Sequence, residues 1–120
     1  MGKAIPFGEY LRASREKRRE TSPAYSVRQI AGKVGIEPSY LSKIERGHEP
    51  PPGEGTVRNL AKELDEDPDV LLAMAGKVSG DLLDIIRSRP ELFADLLRKL
   101  KTMPDRAVLR LVREVRDGDW

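Results

Sequence analysis

The chain has 120 residues, 38% hydrophobic and 35% charged, which is enough for one compact domain with an appendage and excludes a disordered chain. It has no cysteine, which excludes disulfides and cysteine–zinc sites and predicts a cytoplasmic protein. The formal net charge of +2 is uneven, because residues 1–50 carry ten Lys and Arg against six Asp and Glu, and residues 51–120 carry twelve against fourteen. No apolar run approaches the about 20 residues that span a bilayer.

Residues 7–19 are predicted to form the first helix. Apolar and small side chains recur there every three or four positions and share one face, with charged side chains on the other. The residues of the shared face are Phe7, Tyr10, Leu11 and Ser14. The polar segment Glu20–Tyr25 contains Pro23, so we expect a loop there.

The stretch YSVRQIAGKVGIEPSYLSKIERG predicts two short helices joined by a tight turn. Ser26 is placed to cap the first helix, Val27–Val34, and Gly35 follows where the turn needs a positive φ angle. The second helix spans about Pro38–Arg46, because a proline costs nothing in a first helical turn. The predicted inward residues are Ile30, Ala31, Val34, Ile36, Leu41 and Ile44. The predicted outward residues of the second helix are Ser39, Tyr40, Ser42, Lys43 and Arg46, a polar and basic set suited to the major groove of DNA.

Two further short helices are predicted after a proline-rich loop. Residues His48–Gly55 contain three consecutive prolines, which exclude a helix through them. Thr56 is expected to cap a helix over residues 57–64, and Asp67 to start a helix over residues 68–75. The predicted inward residues are Val57, Leu60, Ala61 and Leu64 in the first of these helices, and Val70, Leu71 and Met74 in the second.

Three more helices are predicted beyond a short hinge, Gly76–Gly80. They cover residues 81–88, 90 to about 101 and 104 to about 116, and prolines open the last two. Helices of about 12 residues are marginal alone, so their apolar stripes need to be buried. The stripes of the last two helices are Leu92, Phe93, Leu96, Leu97, Leu100, Val108, Leu111, Val112 and Val115. No segment alternates with a period of two residues, so the sequence predicts an all-α fold without a sheet.

The helix pair resembles the helix-turn-helix of Cro and lambda-repressor-type regulators, the Xre family. The resemblance is carried by Ile30-Ala31, Gly35-Ile36, the run Ser39 to Gly47 and the run Leu60 to Leu64, and it covers roughly residues 7–75. It implies a five-helix DNA-binding domain, which we place at residues 1–76, followed by a C-terminal helical element at residues 77–120. The implied partner is double-stranded DNA.

The resemblance also implies roles for individual side chains. In that family the second helix of the pair reads base edges, and the matching residues here are Ser39, Tyr40, Ser42 and Lys43. A lysine suits the guanine O6 and N7 acceptors, and a tyrosine ring can cover a thymine methyl group. Pro38 and Val27 depart from the polar residues often found at their positions, so we expect base readout to depend on fewer side chains.

Contacts to backbone phosphates are expected from a second set of residues, Ser26, Arg28, Lys33 and Arg46. The basic run Lys17–Arg19 is either a further phosphate-contacting group or ordinary surface charge. The resemblance implies a structural ion pair between Arg15 and Glu45 that fixes the second helix of the pair.

The C-terminal stripes have two interpretations. We expect them to pair with a second copy of the chain, and the alternative is that they fold back as extra core. Trp120 either anchors such an interface or is frayed. The predicted function is therefore a homodimeric transcriptional repressor. The alternative is an antitoxin-like or protease-regulated protein, which would hold a second protein through residues 80–120 and also bind its own promoter.

Catalytic and metal-binding patterns are missing from the sequence. It has no glycine-rich phosphate loop, no Ser/His/Asp set and no HExxH, so we expect neither an enzyme nor a cofactor. His48 has no nearby ligand partners. The acidic residues Glu63, Asp65, Glu66, Asp67 and Asp69 lack the spacing of a calcium loop, and we expect them to be solvated or to cap helices.

Overall fold

The computed structural model describes residues 5–118, and every regular element in that range is helical. The absence of strands over residues 5–118 confirms the all-α prediction. A short 3-10 turn, Pro23–Tyr25, lies between the first two helices. The helices are α1 (Phe7–Arg19), α2 (Val27–Val34), α3 (Pro38–Glu45), α4 (Glu54–Glu63), α5 (Pro68–Met74), α6 (Gly80–Ser88), α7 (Pro90–Thr102) and α8 (Asp105–Asp117).

Local capping explains why α2 and α3 begin and end where they do. The Ser26 hydroxyl oxygen accepts a hydrogen bond from the Gln29 backbone N–H at 3.2 Å, which satisfies one of the free donors at the start of α2. Gly35 has φ of 83° and ends α2, a left-handed conformation that glycine adopts without steric cost. Pro38 occupies the first turn of α3. These three features agree with the sequence prediction.

The helices α1 to α5 enclose one hydrophobic core. In this core α4 packs on α5, α1 and α2 pack on α3, and α2 packs on α4. Each fully buried aliphatic side chain stabilises the fold by about 1.5–3 kcal/mol. The buried apolar residues are Phe7, Leu11, Ile30, Ala31, Leu41, Ile44, Val57, Leu60, Ala61, Leu64, Leu71 and Leu72.

The chain divides into two compact units, with the break between Ser79 and Gly80. The first unit contains α1 to α5 and the core. The second contains α6 to α8, and α6 packs on α7. No residue from 80 to 118 is buried. The apolar side chains between residues 80 and 118 are therefore half-buried or exposed. Trp120 lies outside the described residues.

The start of α4 corrects a prediction. Thr56 does not cap this helix. The helix begins at Glu54, three residues before the predicted start at Val57, and its N-cap is Gly53. The last of the three prolines is Pro52, so nothing after it prevents helix formation. A carboxylate in the first turn is favoured by the helix dipole, and the side chain of Glu54 also pairs with Arg58 one turn later, at 3.1 Å.

The inward face of α5 also differs from the prediction. Val70 is 51% exposed, whereas Leu72, which the sequence interpretation left out, is 0% exposed. Leu71 and Leu72 lie together in the core, and Met74 packs against its edge. In a helix of seven residues, an inward face that includes Val70 and one that includes Leu72 would both bury apolar side chains. Periodicity alone therefore could not choose between the two faces.

Candidate nucleic-acid interface

The outer face of α3 is narrower than predicted. Ser39 and Lys43 are exposed and four residues apart, so they lie on the same side of the helix. Tyr40 corrects the prediction of a wholly outward side chain, because it is half-buried and packs against the core. It precedes the buried Ile44 by one turn and so lies at the edge of the inward face. Ser42 is also half-buried.

The predicted phosphate-contacting residues lie around α2 and the end of α3. Arg28, Lys33 and Arg46 are exposed. The Lys33 ammonium, in the last turn of α2, lies 5.9 Å from the centroid of the Tyr25 ring, which is within cation–π distance. Ser26 is half-buried and its oxygen accepts the capping hydrogen bond, which leaves its hydroxyl proton available for a phosphate oxygen.

One buried arginine holds these elements together. Arg15 Nε donates to Glu45 Oε2 at 2.7 Å and its Nη2 donates to Glu45 Oε1 at 2.8 Å, a two-point pairing of both carboxylate oxygens. Both side chains are 3% exposed. Arg15 Nη1 also donates to the Tyr25 carbonyl oxygen at 3.2 Å. The hydrogen bonds to Glu45 raise the pKa of the Arg15 guanidinium above its ordinary value, although burial acts in the opposite direction.

The sequence interpretation missed a close approach between α1 and α3. A Cβ atom on the buried Gly8 would overlap the Ile44 carbonyl oxygen and lie 2.9 Å from the Glu45 carbonyl oxygen. Only a glycine lets α1 pass so near the end of α3. The sequence around Gly8 does not reveal this close approach, because the carbonyl groups near Gly8 belong to α3, far along the chain.

Glu66 makes long-range hydrogen bonds, whereas the sequence predicted a solvated or helix-capping side chain. Its Oε1 accepts hydrogen bonds from the Tyr10 hydroxyl and the Ser14 hydroxyl, both at 2.9 Å, so this carboxylate joins α1 to the turn between α4 and α5. The hydrogen bond to Glu66 raises the pKa of the Tyr10 hydroxyl. Asp67, by contrast, caps α5 as predicted, with Oδ1 accepting from the Asp69 N–H at 2.9 Å.

Two other kinds of site find no support within residues 5–118. No group of three His, Cys, Asp or Glu side chains in that range could hold a metal ion. No helix in the described part of the chain is long and apolar enough to cross a membrane.

Comparison with known proteins identifies the first unit. A family model described as a helix-turn-helix domain matches residues 6–74, which run from the residue before α1 to the last residue of α5. The chain belongs to the helix-turn-helix domain family. The predicted resemblance to helix-turn-helix regulators is thereby confirmed at the family level. Comparison with curated proteins and with solved structures gives no match.

The helix-turn-helix assignment indicates a DNA-binding regulator, and domains of this family are typically not enzymes. Within the matched region, α2 and α3 are the helix pair and Gly35 lies in the turn between them. The second helix of the pair, α3, is called the recognition helix below. The match ends before α6, so α6 to α8 are outside it.

Proposed function

We propose that this helix-turn-helix protein is a sequence-specific transcriptional repressor that acts as a homodimer on operator DNA. The observation that carries the proposal is the surface of the recognition helix, where Ser39 and Lys43 are exposed on one side. Arg46, at the end of the same helix, is also exposed. A helix of this kind enters the major groove with side chains directed at base edges and cations near the backbone.

The four residues assigned to base readout contribute differently. Lys43 supplies a flexible ammonium for guanine O6 and N7, and the Ser39 hydroxyl both donates and accepts. Tyr40 is half-buried, so the exposed part of its side chain is what remains for a base or a thymine methyl group. Ser42 is half-buried beside Arg46 and contributes its hydroxyl. We assign the phosphate contacts to Ser26, Arg28, Lys33 and Arg46.

Dimerisation is assigned to the second unit. Its last two helices carry apolar side chains with no buried position among them. The residues that we assign to the interface with a second copy are Leu92, Phe93, Leu96, Leu97, Leu100, Val108, Leu111, Val112 and Val115. A two-fold dimer would place two recognition helices about one DNA turn apart, roughly 34 Å. The functional division that we propose is a DNA-binding domain at residues 1–76 and a dimerisation element at residues 77–120.

A repressor needs only to occupy its operator, and α1 to α8 include no element that we assign to activation. Selection of bound sequences from a random duplex pool tests the proposal. We expect enrichment of an inverted repeat whose half-site centres are about 10 base pairs apart. A pool that shows no enriched sequence would contradict specific recognition, and an enriched single half-site would contradict the dimer.

The exposed apolar side chains of α7 and α8 also fit a second candidate function. In that case the chain is an antitoxin-like or protease-regulated protein, and another polypeptide covers these helices. The purified protein alone distinguishes the two. A dimer at micromolar concentration favours the homodimeric repressor, and a monomer that nevertheless binds DNA favours the second candidate.

A further inference from the structure

A groove lined by arginines lies between α1, the first residue of α2 and the end of α3. Its volume is about 200 Å³. The exposed residues that line it are Arg12 and Arg19 from α1 and Arg46 from the end of α3, with Ser42 half-buried among them. The buried pair Arg15–Glu45 contributes to the same lining. This set of residues is called the arginine groove below.

The arginine groove has an excess of positive charge. Four arginines and two glutamates line it, which leaves two positive charges in excess. The acidic groups are already engaged, because both oxygens of Glu45 and one oxygen of Glu16 accept hydrogen bonds from Arg15. Among residues 5–118, neither Arg12 nor Arg19 pairs with a carboxylate. The groove therefore presents unpaired guanidinium groups to an incoming anion.

The helical repeat separates these arginines from the neighbouring basic residues. Arg12 and Arg19 are seven residues apart, which places them on the same face of α1 and about 10 Å apart along its axis. Lys17 and Arg18 line a different groove, next to Glu66. Arg18 is also engaged there, because its Nη1 donates to the Ser14 hydroxyl oxygen at 3.1 Å. The basic run is thus divided between two faces, and only Arg19 faces the recognition helix.

We propose that the arginine groove binds backbone phosphate groups of the DNA duplex beside the recognition helix, with Arg12 and Arg19 as phosphate-binding residues. This inference rests on the proposed DNA-binding function. A guanidinium group matches the geometry of two phosphate oxygens. Contacts of this kind position the protein on the duplex and carry no sequence information. Arg15 is not assigned a phosphate contact, because its side chain is buried and four of its five N–H groups donate to Glu45, Glu16 and the Tyr25 carbonyl.

The salt dependence of DNA binding tests the inference. Arg12→Gln and Arg19→Gln are compared with Lys17→Gln, which removes the same charge from the same helix on its other face. We expect each arginine variant to reduce the magnitude of the slope of log K against log salt by about 0.9 for each phosphate that it no longer neutralises, on specific and random duplexes alike. Lys17→Gln should leave the slope unchanged. Arg12→Lys and Arg19→Lys keep the charge and should largely retain the slope.

Other results would overturn the inference. Unchanged slopes in both arginine variants, or an equal change in Lys17→Gln, would show that the arginine groove does not contact the backbone. Inorganic phosphate, exchanged for chloride at constant ionic strength, should not shift the Arg12 and Arg19 Nε–H resonances at sub-millimolar concentration. Such a shift would indicate a site for a free anion instead. If the unaltered protein binds no duplex at all, the proposed function itself fails, which is a different outcome from normal binding with unchanged slopes.

Discussion

Arg15 Nε lies 2.7 Å from Glu45 Oε2, so a charge on the first helix is neutralised by the last residue of the recognition helix. The two residues are 30 positions apart in the chain. Since both are almost completely shielded from water, each depends on the other for its solvation. The pair therefore fixes the recognition helix against α1.

The first prediction concerns this pair. Arg15→Ala leaves the Glu45 carboxylate buried without its partner, and we expect the free energy of unfolding to fall by about 3–5 kcal/mol. Urea denaturation measures the change. Arg58→Ala is the matched control, since it breaks the exposed pair with Glu54 and should cost no more than about 0.5 kcal/mol. Decreases of equal size in the two variants would contradict the special role of the buried pair.

The second prediction concerns the close approach at Gly8. Gly8→Ala places a methyl group against the Ile44 carbonyl, which is backbone and cannot rotate away, so we expect a decrease of about 1–3 kcal/mol in unfolding free energy. Gly32→Ala is the control, because its new methyl group meets no atom within 4 Å. The free energy of unfolding of Gly32→Ala should rise by about 0.4–1 kcal/mol. Thermal melts that move in the same direction for both variants would show that α1 is not held against α3.

The third prediction is a pH dependence at Tyr10. Its pKa in the folded state is raised above the ordinary 10.0 by the hydrogen bond to Glu66. The stabilisation is therefore fully present below about pH 10 and is lost as the pH rises through the folded-state pKa, because the unfolded state releases the proton first. Tyr10→Phe should flatten the decline of urea midpoints between about pH 9 and about pH 11. Tyr25→Phe serves as the control and should keep the decline of the unaltered chain.

The fourth prediction separates base contacts from phosphate contacts. Lys43→Ala should cost about 1–3 kcal/mol on the selected site and much less on random DNA, if its ammonium reads a base. Arg46→Ala should weaken both complexes about equally and reduce the salt slope by about one. Fluorescence anisotropy on the two duplexes provides both quantities. If the two variants lose specific and random binding in the same proportion, the assigned roles are wrong.

The fifth prediction concerns assembly. Leu97→Glu and Val112→Glu place charges at positions that are 53% and 52% exposed in the second unit, and a charge at a dimer interface should dissociate it. Val70→Glu is the control, at a position of 51% exposure in the first unit. Sedimentation velocity should show monomers for the first two variants and dimers for the control. A dimer that survives both substitutions would require another interface.

Much of the first unit could be predicted because its signals are local. Ser26, Gly35 and Asp67 act on backbone groups within a few residues, and such short-range chemistry can be read directly along the chain. The bounds of α1 and α2 agree with the prediction. The start of α4 was missed because Glu54 and Thr56 are both acceptable near a helix start, and sequence alone does not rank them.

Long-range contacts account for what the sequence did not reveal at the candidate site. Tyr10 and Glu66 are 56 residues apart, and nothing in an acidic cluster indicates which carboxylate will meet a hydroxyl from another helix. Tyr40 lies at the border between the inward and outward faces of α3, where periodicity is ambiguous. The division of the run Lys17–Arg19 between two grooves likewise depends on what packs beside each face.

The contacts of Arg15 have a consequence for the thermodynamics of association. One guanidinium group joins α1, the carbonyl immediately before the cap of α2 and the end of α3. The helix pair is thus held in one arrangement before any ligand arrives, so little conformational entropy remains to be lost on docking. Complex formation by this unit should therefore resemble the meeting of two rigid bodies, without the large heat-capacity change that accompanies coupled folding.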